Sequence, residues 1–583
     1  MTGRETAPRG LSRRHFLGLA GAGGAALFAA ACGGSRNRDP GLASLPSPSA
    51  SRTPAARTAT AAPTRPGASG QHGEAMRVTG YVTRDSSLDP HKTQAGPFYG
   101  IQSLVFSRLI AYQNQVDGAI VADLARDLPE QPDAATFVFR LNGGAKWQER
   151  PPVNGRPVTP ADVKASILRQ KDGDRSFVRK ARWSVVESVE TPDPQTIVVK
   201  LAAPMAAALG LFADVNAFVI PEELAAGAFT LDSQVGSGPF RWVEWQDAKF
   251  ASVSRNPGWH GGNARPYLDG LTVVQPKDTD ELEAGLRTKK LDAVFVGRPQ
   301  AEKLKRAVPQ LQETTVGHSM FYGMRFFEPQ FPYNDVRFRN AVAAALDRRA
   351  MIQQWFAGSG DLNPWVSWPM TRWTLPQSEL TNVAGYRPGA AGRDQDIAEA
   401  RALMAAFTSD KKLPETDLPL FVPDDAEANL GLGSLIRQQL KAALDLNVAI
   451  YPLPIGDLVG RMLSGNAPWV AGPDNGWIDL DDWLYPYFHS SGTKNSFALR
   501  STELDGLIDA QRKELDEGKR RAIGHDVQRR LLALNLGVNF VSERVVALAW
   551  PYVRGFPLDA SDGYQHRFAD AWIDRNDPSF RGR

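Results

Sequence analysis

The sequence predicts an α/β protein with mixed sheets, and three observations carry that reading. Short alternating runs rich in strand formers recur along the chain. Capped segments with helical periodicity lie between them. The two kinds follow one another without the strict alternation of a purely parallel sheet.

Taken in order, the elements are as follows. Thr136-Phe137-Val138-Phe139-Arg140-Leu141 alternates as a strand does. Thr159 then caps a helix, with Pro160 at its first position and Asp162 near the positive end of its dipole. Val163 and Ile167 share one face of that helix. Residues 196–201 form a second strand after a turn at Pro192-Asp193-Pro194. Asp335 caps one helix that carries Phe338, Val342, Ala345, Leu346, Ile352 and Trp355 at helical spacing. Another helix spans 396–407. An amphipathic one at 432–444 leads into the strand Val448-Ala449-Ile450. Two more helices cover 503–515 and 520–534. Trp242 and Trp245 belong to a strand and are read as structural.

Composition bounds the function. The chain has 583 residues, 42% of them hydrophobic and 22% charged, with a net charge of +3. This is long enough for two or three domains. Lys and Arg are not clustered with interleaved aromatics, so nucleic acid is not an expected partner. Eight histidines are scattered without a tight ligand pair, and no Gly-x-Ser-x-Gly elbow or Walker loop is present. No cofactor, resident metal or catalytic group is therefore expected.

The N-terminal part reads as targeting and tether. Ser12-Arg13-Arg14-His15-Phe16-Leu17 resembles a twin-arginine export signal, with Arg13 and Arg14 as its defining pair. The apolar run at 18–31 falls well short of the roughly 20 residues a membrane span needs. It ends at Ala30-Ala31-Cys32-Gly33, and Cys32 is the only cysteine. A lone cysteine cannot close an internal disulfide. The segment resembles a lipoprotein signal, which implies lipid attachment at Cys32. Ala29 departs from the leucine usual there, and a plain cleaved signal is the alternative. Residues 33–75, rich in Ser, Pro, Ala, Thr and Gly, are expected to be a disordered linker, with folding beginning near Met76.

A family pattern then runs through the folded part. Its elements are Leu88-Asp89-Pro90, Thr136-Phe137-Val138-Phe139-Arg140-Leu141, and Asn154-Gly155-Arg156-Pro157-Val158-Thr159-Pro160-Ala161-Asp162-Val163. They continue with Val235-Gly236-Ser237-Gly238-Pro239-Phe240 and Tyr333-Asn334-Asp335-Val336-Arg337-Phe338-Arg339-Asn340-Ala341-Val342, followed by Ala345-Leu346-Asp347-Arg348. Gly476-Trp477-Ile478-Asp479-Leu480-Asp481-Asp482 closes the series. Each element is weak alone, and their order is specific. Over about 76–572 the chain resembles the bacterial extracellular solute-binding proteins of family 5, the peptide- and nickel-type substrate-binding lipoproteins of ABC importers.

That resemblance implies a periplasmic-binding-protein-like fold, with two lobes around a ligand cleft and an extra small domain. Carried over, its boundaries give a signal at 1–32, a linker at 33–75, domain I at 76–118, 221–312 and 546–583, domain II at 119–220, and domain III at 313–545. It implies a monomer that takes a peptide or other small solute, docks on ABC permease transmembrane subunits, and is held outside the cytoplasm by its lipid anchor. An oligosaccharide or a nickel or other metal chelate is the alternative solute, and an extracellular enzyme is a more distant reading. By the resemblance, Asp479 pairs with the ligand's ammonium group. The local spacing is shorter than the family's, so Asp481 or Asp474 is an alternative. Trp477 and Trp368 are expected to line the cleft, since aromatics there hold varied side chains. His91 is a further cleft candidate, beside the Leu88-Asp89-Pro90 element. An acidic loop, Pro423-Asp424-Asp425-Ala426-Glu427, stands where some dipeptide-binding members carry an arginine, which disfavours a strict dipeptide site.

Overall fold

Strand-forming runs far apart in the sequence are gathered into one sheet by two members much longer than the usual five or six residues. The computed structural model describes residues 70–583, apart from 81, 83–86, 94–95, 115–117, 175, 178, 263, 363, 367–371, 425–426, 475–477, 493 and 558–564. The expected signal with Arg13, Arg14 and Cys32, most of the linker, and Trp368 and Trp477 lie outside the described residues.

The main sheet has eleven strands. Across it they run Val448–Leu453, Leu418–Pro423, Trp469–Asp474, Gln312–Phe326, Gly537–Ala549, Ala293–Val296, Ala75–Thr79, Gly270–Val274, Phe250–Arg255 and Phe240–Gln246. Gly360–Leu362 pairs on Gly537–Ala549. The sheet is mixed. Ala75–Thr79 is parallel to both its neighbours, and Leu418–Pro423 is parallel to both of its own. The two long central strands, Gln312–Phe326 and Gly537–Ala549, are antiparallel.

The pair runs between two cores: Gly537–Ala549 has side chains in both, and Gln312–Phe326 pairs along it. One end pairs Gln312 with Ala549 and Thr315 with Val546. Val546 and Leu548 belong there to a core built from Met76, Val78, Phe98, Phe106, Trp242, Trp245 and Leu304. The other end pairs Met324 with Val538 and Arg325 with Gly537. Met324 and Phe326 belong there to a second core with Phe338, Phe407, Ile436 and Trp469. The register shifts between Gly317 and Phe321, midway between the two. Trp242 and Trp245 are buried and stack on each other with ring centroids 5.8 Å apart.

A separate antiparallel sheet, Thr136–Arg140, Thr196–Leu201 and Val186–Asp193, carries a third core with the helix Pro160–Asp172. Leu109, Ile110 and Tyr112 already contribute to it, ahead of residue 118. Asp162 does more than favour the helix dipole. Its carboxylate accepts the Thr159 N–H at 2.8 Å, the Glu222 N–H at 3.0 Å and the Arg156 guanidinium at 2.6 and 2.9 Å. Arg156 and Asp162 both come from the same motif, so that motif ties the helix start to its flanking turn.

Some element boundaries differ from expectation. The single helix expected from Asp335 is two, Val336–Ala345 and Arg348–Trp355. Leu346 is extended, and Asp347 caps anew by accepting the Ala350 N–H at 2.9 Å. The helix expected at 396–407 starts earlier, as Gly389–Thr408. Glu427, read as part of an acidic loop, opens the helix Glu427–Leu444. No helix among the described residues is long and apolar enough to cross a membrane.

Candidate functional site

The site is built around the start of one short helix, Leu480–Phe488. Leu480, Trp483, Leu484, Tyr487 and Phe488 are buried in a fourth core with Trp365, Trp373 and Leu531. That packing fixes the helix by its apolar face. Three aspartates, Asp479, Asp481 and Asp482, crowd its N-terminal end, where the helix dipole favours negative charge.

Asp479 is the N-cap and accepts the Asp481 N–H at 2.8 Å. Its carboxylate also meets both terminal nitrogens of Arg520, one at 2.9 Å. Arg520 comes from the helix Glu517–Leu534, and its guanidinium lies 4.8 Å above the Trp373 ring. Burial pushes the Asp479 carboxyl up, but the Arg520 charge and hydrogen bonds outweigh burial and hold it below its ordinary value. Asp481 accepts from Gln511 Nε2 at 2.8 Å and faces Arg512 Nε at 3.1 Å. For Asp481 burial prevails over the Arg512 charge, and its carboxyl is raised.

Asp482 turns the other way, toward the three-stranded sheet and its core. Arg182 Nη1 stands 3.0 Å from its carboxylate. The same nitrogen donates to Asp214 at 3.0 Å, and Arg179 Nε donates to Asp214 at 2.8 Å. Burial raises the Asp482 carboxyl to about 6, against the Arg182 charge and with help from Asp479 and Asp481. Asp214, with two arginines, is held low despite its burial. Two further contacts join the same sides. The Ala206 N–H donates to the Arg512 carbonyl at 2.8 Å, and Arg372 Nη1 donates to the Gly118 carbonyl at 3.2 Å. Ile478 packs against the third core.

The remaining candidates fall as follows. Asp474 ends the strand Trp469–Asp474, pairs with Arg325 of the neighbouring long strand, and accepts from Tyr487 OH at 3.1 Å. His91, a cleft candidate from the sequence, is engaged in internal contacts. Its side chain is fully buried, with Nε2 2.8 Å from the Phe218 carbonyl and Nδ1 3.0 Å from Arg169. Burial and then the Arg169 charge push its pKa down to about 4, which keeps the ring neutral. Trp368 and Trp477 cannot be placed, as they lie outside the described residues. Among the described residues, no three His, Cys, Asp or Glu side chains are grouped to hold a metal ion.

Arg182, Asp214, Asp482 and Arg520 were not singled out by the sequence. The one local signal was the run of acids at 479–482. It did not say which of them an arginine would own.

The arrangement is thus a charged face between two separately cored parts, lined by carboxylates and guanidiniums. The model for bacterial extracellular solute-binding proteins, family 5 (middle part), matches residues 119–495, which spans both sides of this face. The chain belongs to that family. A putative ABC transporter peptide-binding protein of Brucella ovis is 28% identical over 262 residues, covering 44% of this chain and 48% of the relative. The chain spans about half the length of the curated relatives it matches. Among solved structures, the PBP AgaA from A. tumefaciens R10, in complex with agropinic acid, aligns with a TM-score of 0.67 and 22% identity, over 86% of this chain and 98% of that one. The oligopeptide-binding protein AppA from Bacillus subtilis, in complex with a nonapeptide, aligns with a TM-score of 0.68 and 16% identity, over 86% and 99%. The family 5 chain thus has the mixed α/β fold of periplasmic binding proteins.

Proposed function

We propose that this protein is the substrate-binding component of an ABC importer, capturing a peptide-like solute outside the cytoplasm and delivering it to a permease. The observation that carries the reading is the family match over 119–495, on both sides of the charged face. The peptide-binding description of the Brucella ovis relative supports the solute class.

In this reading the molecule works by lobe closure. The first and third cores make domains I and II, the second and fourth make domain III, and the two long strands are the crossing between them. Solute enters between the lobes, touches both, and shifts the population toward the closed form. The Arg182–Asp482 contact supports such a meeting of lobes. Asp479 and Asp481, expected at the ligand's ammonium group, are engaged by Arg520 and Gln511, so in this reading they act from behind the site by fixing the start of the helix that presents Asp482. Trp477 and Trp368 line the solute. No covalent step is involved. Arg13 and Arg14 direct export, Cys32 carries the lipid that anchors the monomer to the membrane, and the linker holds it at a distance. A non-peptide solute is the second reading, because the AgaA structure holds agropinic acid.

The test is mass spectrometry of small molecules released when the purified protein is denatured. Mixed short peptides are expected. A saccharide or a metal chelate would overturn the peptide class and leave solute capture standing. No retained solute, together with no thermal shift from a peptide panel, would overturn the reading itself.

A further inference from the structure

We propose that the solute is an acidic one, taken by a carboxylate at Lys494 rather than by an ammonium group at the neighbouring aspartates. The proposal rests on the solute-capture reading above and narrows the class of solute.

The aspartates are committed within the fold. Asp479 holds both terminal nitrogens of Arg520, and Asp481 accepts from Gln511 and faces Arg512. Asp482 faces Arg182, and Asp474 pairs with Arg325 and accepts from Tyr487 OH. Asp214, on the facing part, takes both Arg179 and Arg182. Each of these carboxylates already has an arginine. An ammonium group entering here would have to displace a guanidinium from a buried or half-buried pair and leave it without its carboxylate. That exchange gains little.

Lys494 is placed differently. Its backbone N–H donates to the Pro486 carbonyl at 2.8 Å, which fastens the loop after the helix Leu480–Phe488 to the helix itself. Its Nζ donates to Tyr487 OH at 3.3 Å and lies 5.1 Å from the centre of the Tyr487 ring. The residue is exposed to solvent. Surrounding protein nevertheless disfavours its charged form, with Asp474 and Asp482 favouring the charge and Arg179 and Arg325 opposing it. A group that solvent reaches and protein surrounds lies in a recess, where the field of its neighbours is concentrated.

The charges about that recess do not cancel. The described residues there set Lys494, Arg325, Arg179 and Arg182 against Asp474, Asp482 and Asp214, one cation in excess. The adjoining pairs, Asp479 with Arg520 and Asp481 with Arg512, are each balanced. Arg179 and Arg182 flank Trp183 of the third core, while Lys494 and Arg325 belong with the helix and the long strand. A carboxylate at Lys494 thus supplies the charge that both parts call for. Such a charge-assisted contact in a recess is worth about tenfold in affinity or more.

The experiment is titration calorimetry at neutral pH on the full chain carrying Cys32→Ser. N-acetyl-trialanine, which keeps only the carboxylate, should bind at least about tenfold tighter than trialanine amide, which keeps only the ammonium group. Ala-Glu-Ala should likewise bind tighter than Ala-Lys-Ala. Lys494→Met should abolish both preferences, and Lys494→Arg should keep them. The ratio within each pair is the reading, since a merely structural loss would weaken both members alike. The proposal fails if the amide binds as tightly as the acetylated acid, or if Lys494→Met weakens both members of a pair equally and leaves their ratio as it was. Glutarate and cadaverine, an acid and an amine without a peptide bond, separate this result from the peptide reading. If no peptide binds while glutarate binds, cadaverine does not, and Lys494→Met removes glutarate, peptide capture fails and the acid preference stands. If neither the peptides nor glutarate bind, the acid preference fails.

Discussion

Asp479 and Asp482 sit three residues apart at one helix start, each beside an arginine, yet their carboxyls shift in opposite directions. Asp479 has Arg520 to itself, in a pair backed by Gln511 and the Trp373 ring. Asp482 shares Arg182 with Asp214. An ion pair is therefore not a fixed quantity of stabilisation. Its effect depends on the rest of the surroundings: burial opposes ionisation at both, but Asp479 has Arg520 and a backbone hydrogen bond against it, while Asp482 has Asp479, Asp481 and Asp214 beside it. The inner pair holds the start of the helix, and the outer one joins it to the part built around the third core.

The comparison can be broken most severely at the inner pair. Arg520→Ala leaves a buried carboxylate without its cation and should destabilise the protein by about 3–5 kcal/mol in urea unfolding. Asp479→Asn keeps the shape and one acceptor, and should cost about 2 kcal/mol. The two also differ in pH dependence. The Asp479 contribution is full above the ordinary carboxylate pKa and disappears as pH falls through its lowered value. The penalty at Asp482 has the opposite course: stability is present at low pH and is lost as pH rises through about 6. Subtracting Asp482→Asn melting curves from wild-type ones between acid and neutral pH should expose it. At about pH 8 the Asn variant should be the more stable by about 1 kcal/mol, a value discounted for partial exposure. The smallest effect is expected at Arg182→Lys. It keeps the charge, loses the forked geometry and should cost under about 1 kcal/mol. Equal losses at Arg520 and Arg182 would remove the distinction between the two pairs.

Local signals made much of the fold legible. Alternation marked the strand at Thr136–Arg140, and Thr159 with Pro160 marked a helix start because cap and dipole preferences act within one turn. The break at Leu346 was missed because hydrophobic spacing runs on across it, although Asp347 is a good cap in its own right. At the site the limits are plainer. The acids at 479–482 were visible as a cluster. Arg520, Arg182 and Asp214 are brought to them by tertiary packing, and no local pattern encodes a partner so far away in the chain. His91 shows the same limit. Its neighbour Asp89 was legible as a motif, while the Arg169 that turns both inward comes from the helix Pro160–Asp172.

The two long central strands carry one more consequence. Gly537–Ala549 contributes side chains to two hydrophobic cores, and Gln312–Phe326 pairs with it from the end at the first core to the end at the second. Neither core can melt without stripping pairing from the other, so the two parts are coupled in unfolding as well as in motion. Calorimetry should then record a single main transition, and amides at the crossing should be among the last to exchange with solvent deuterium.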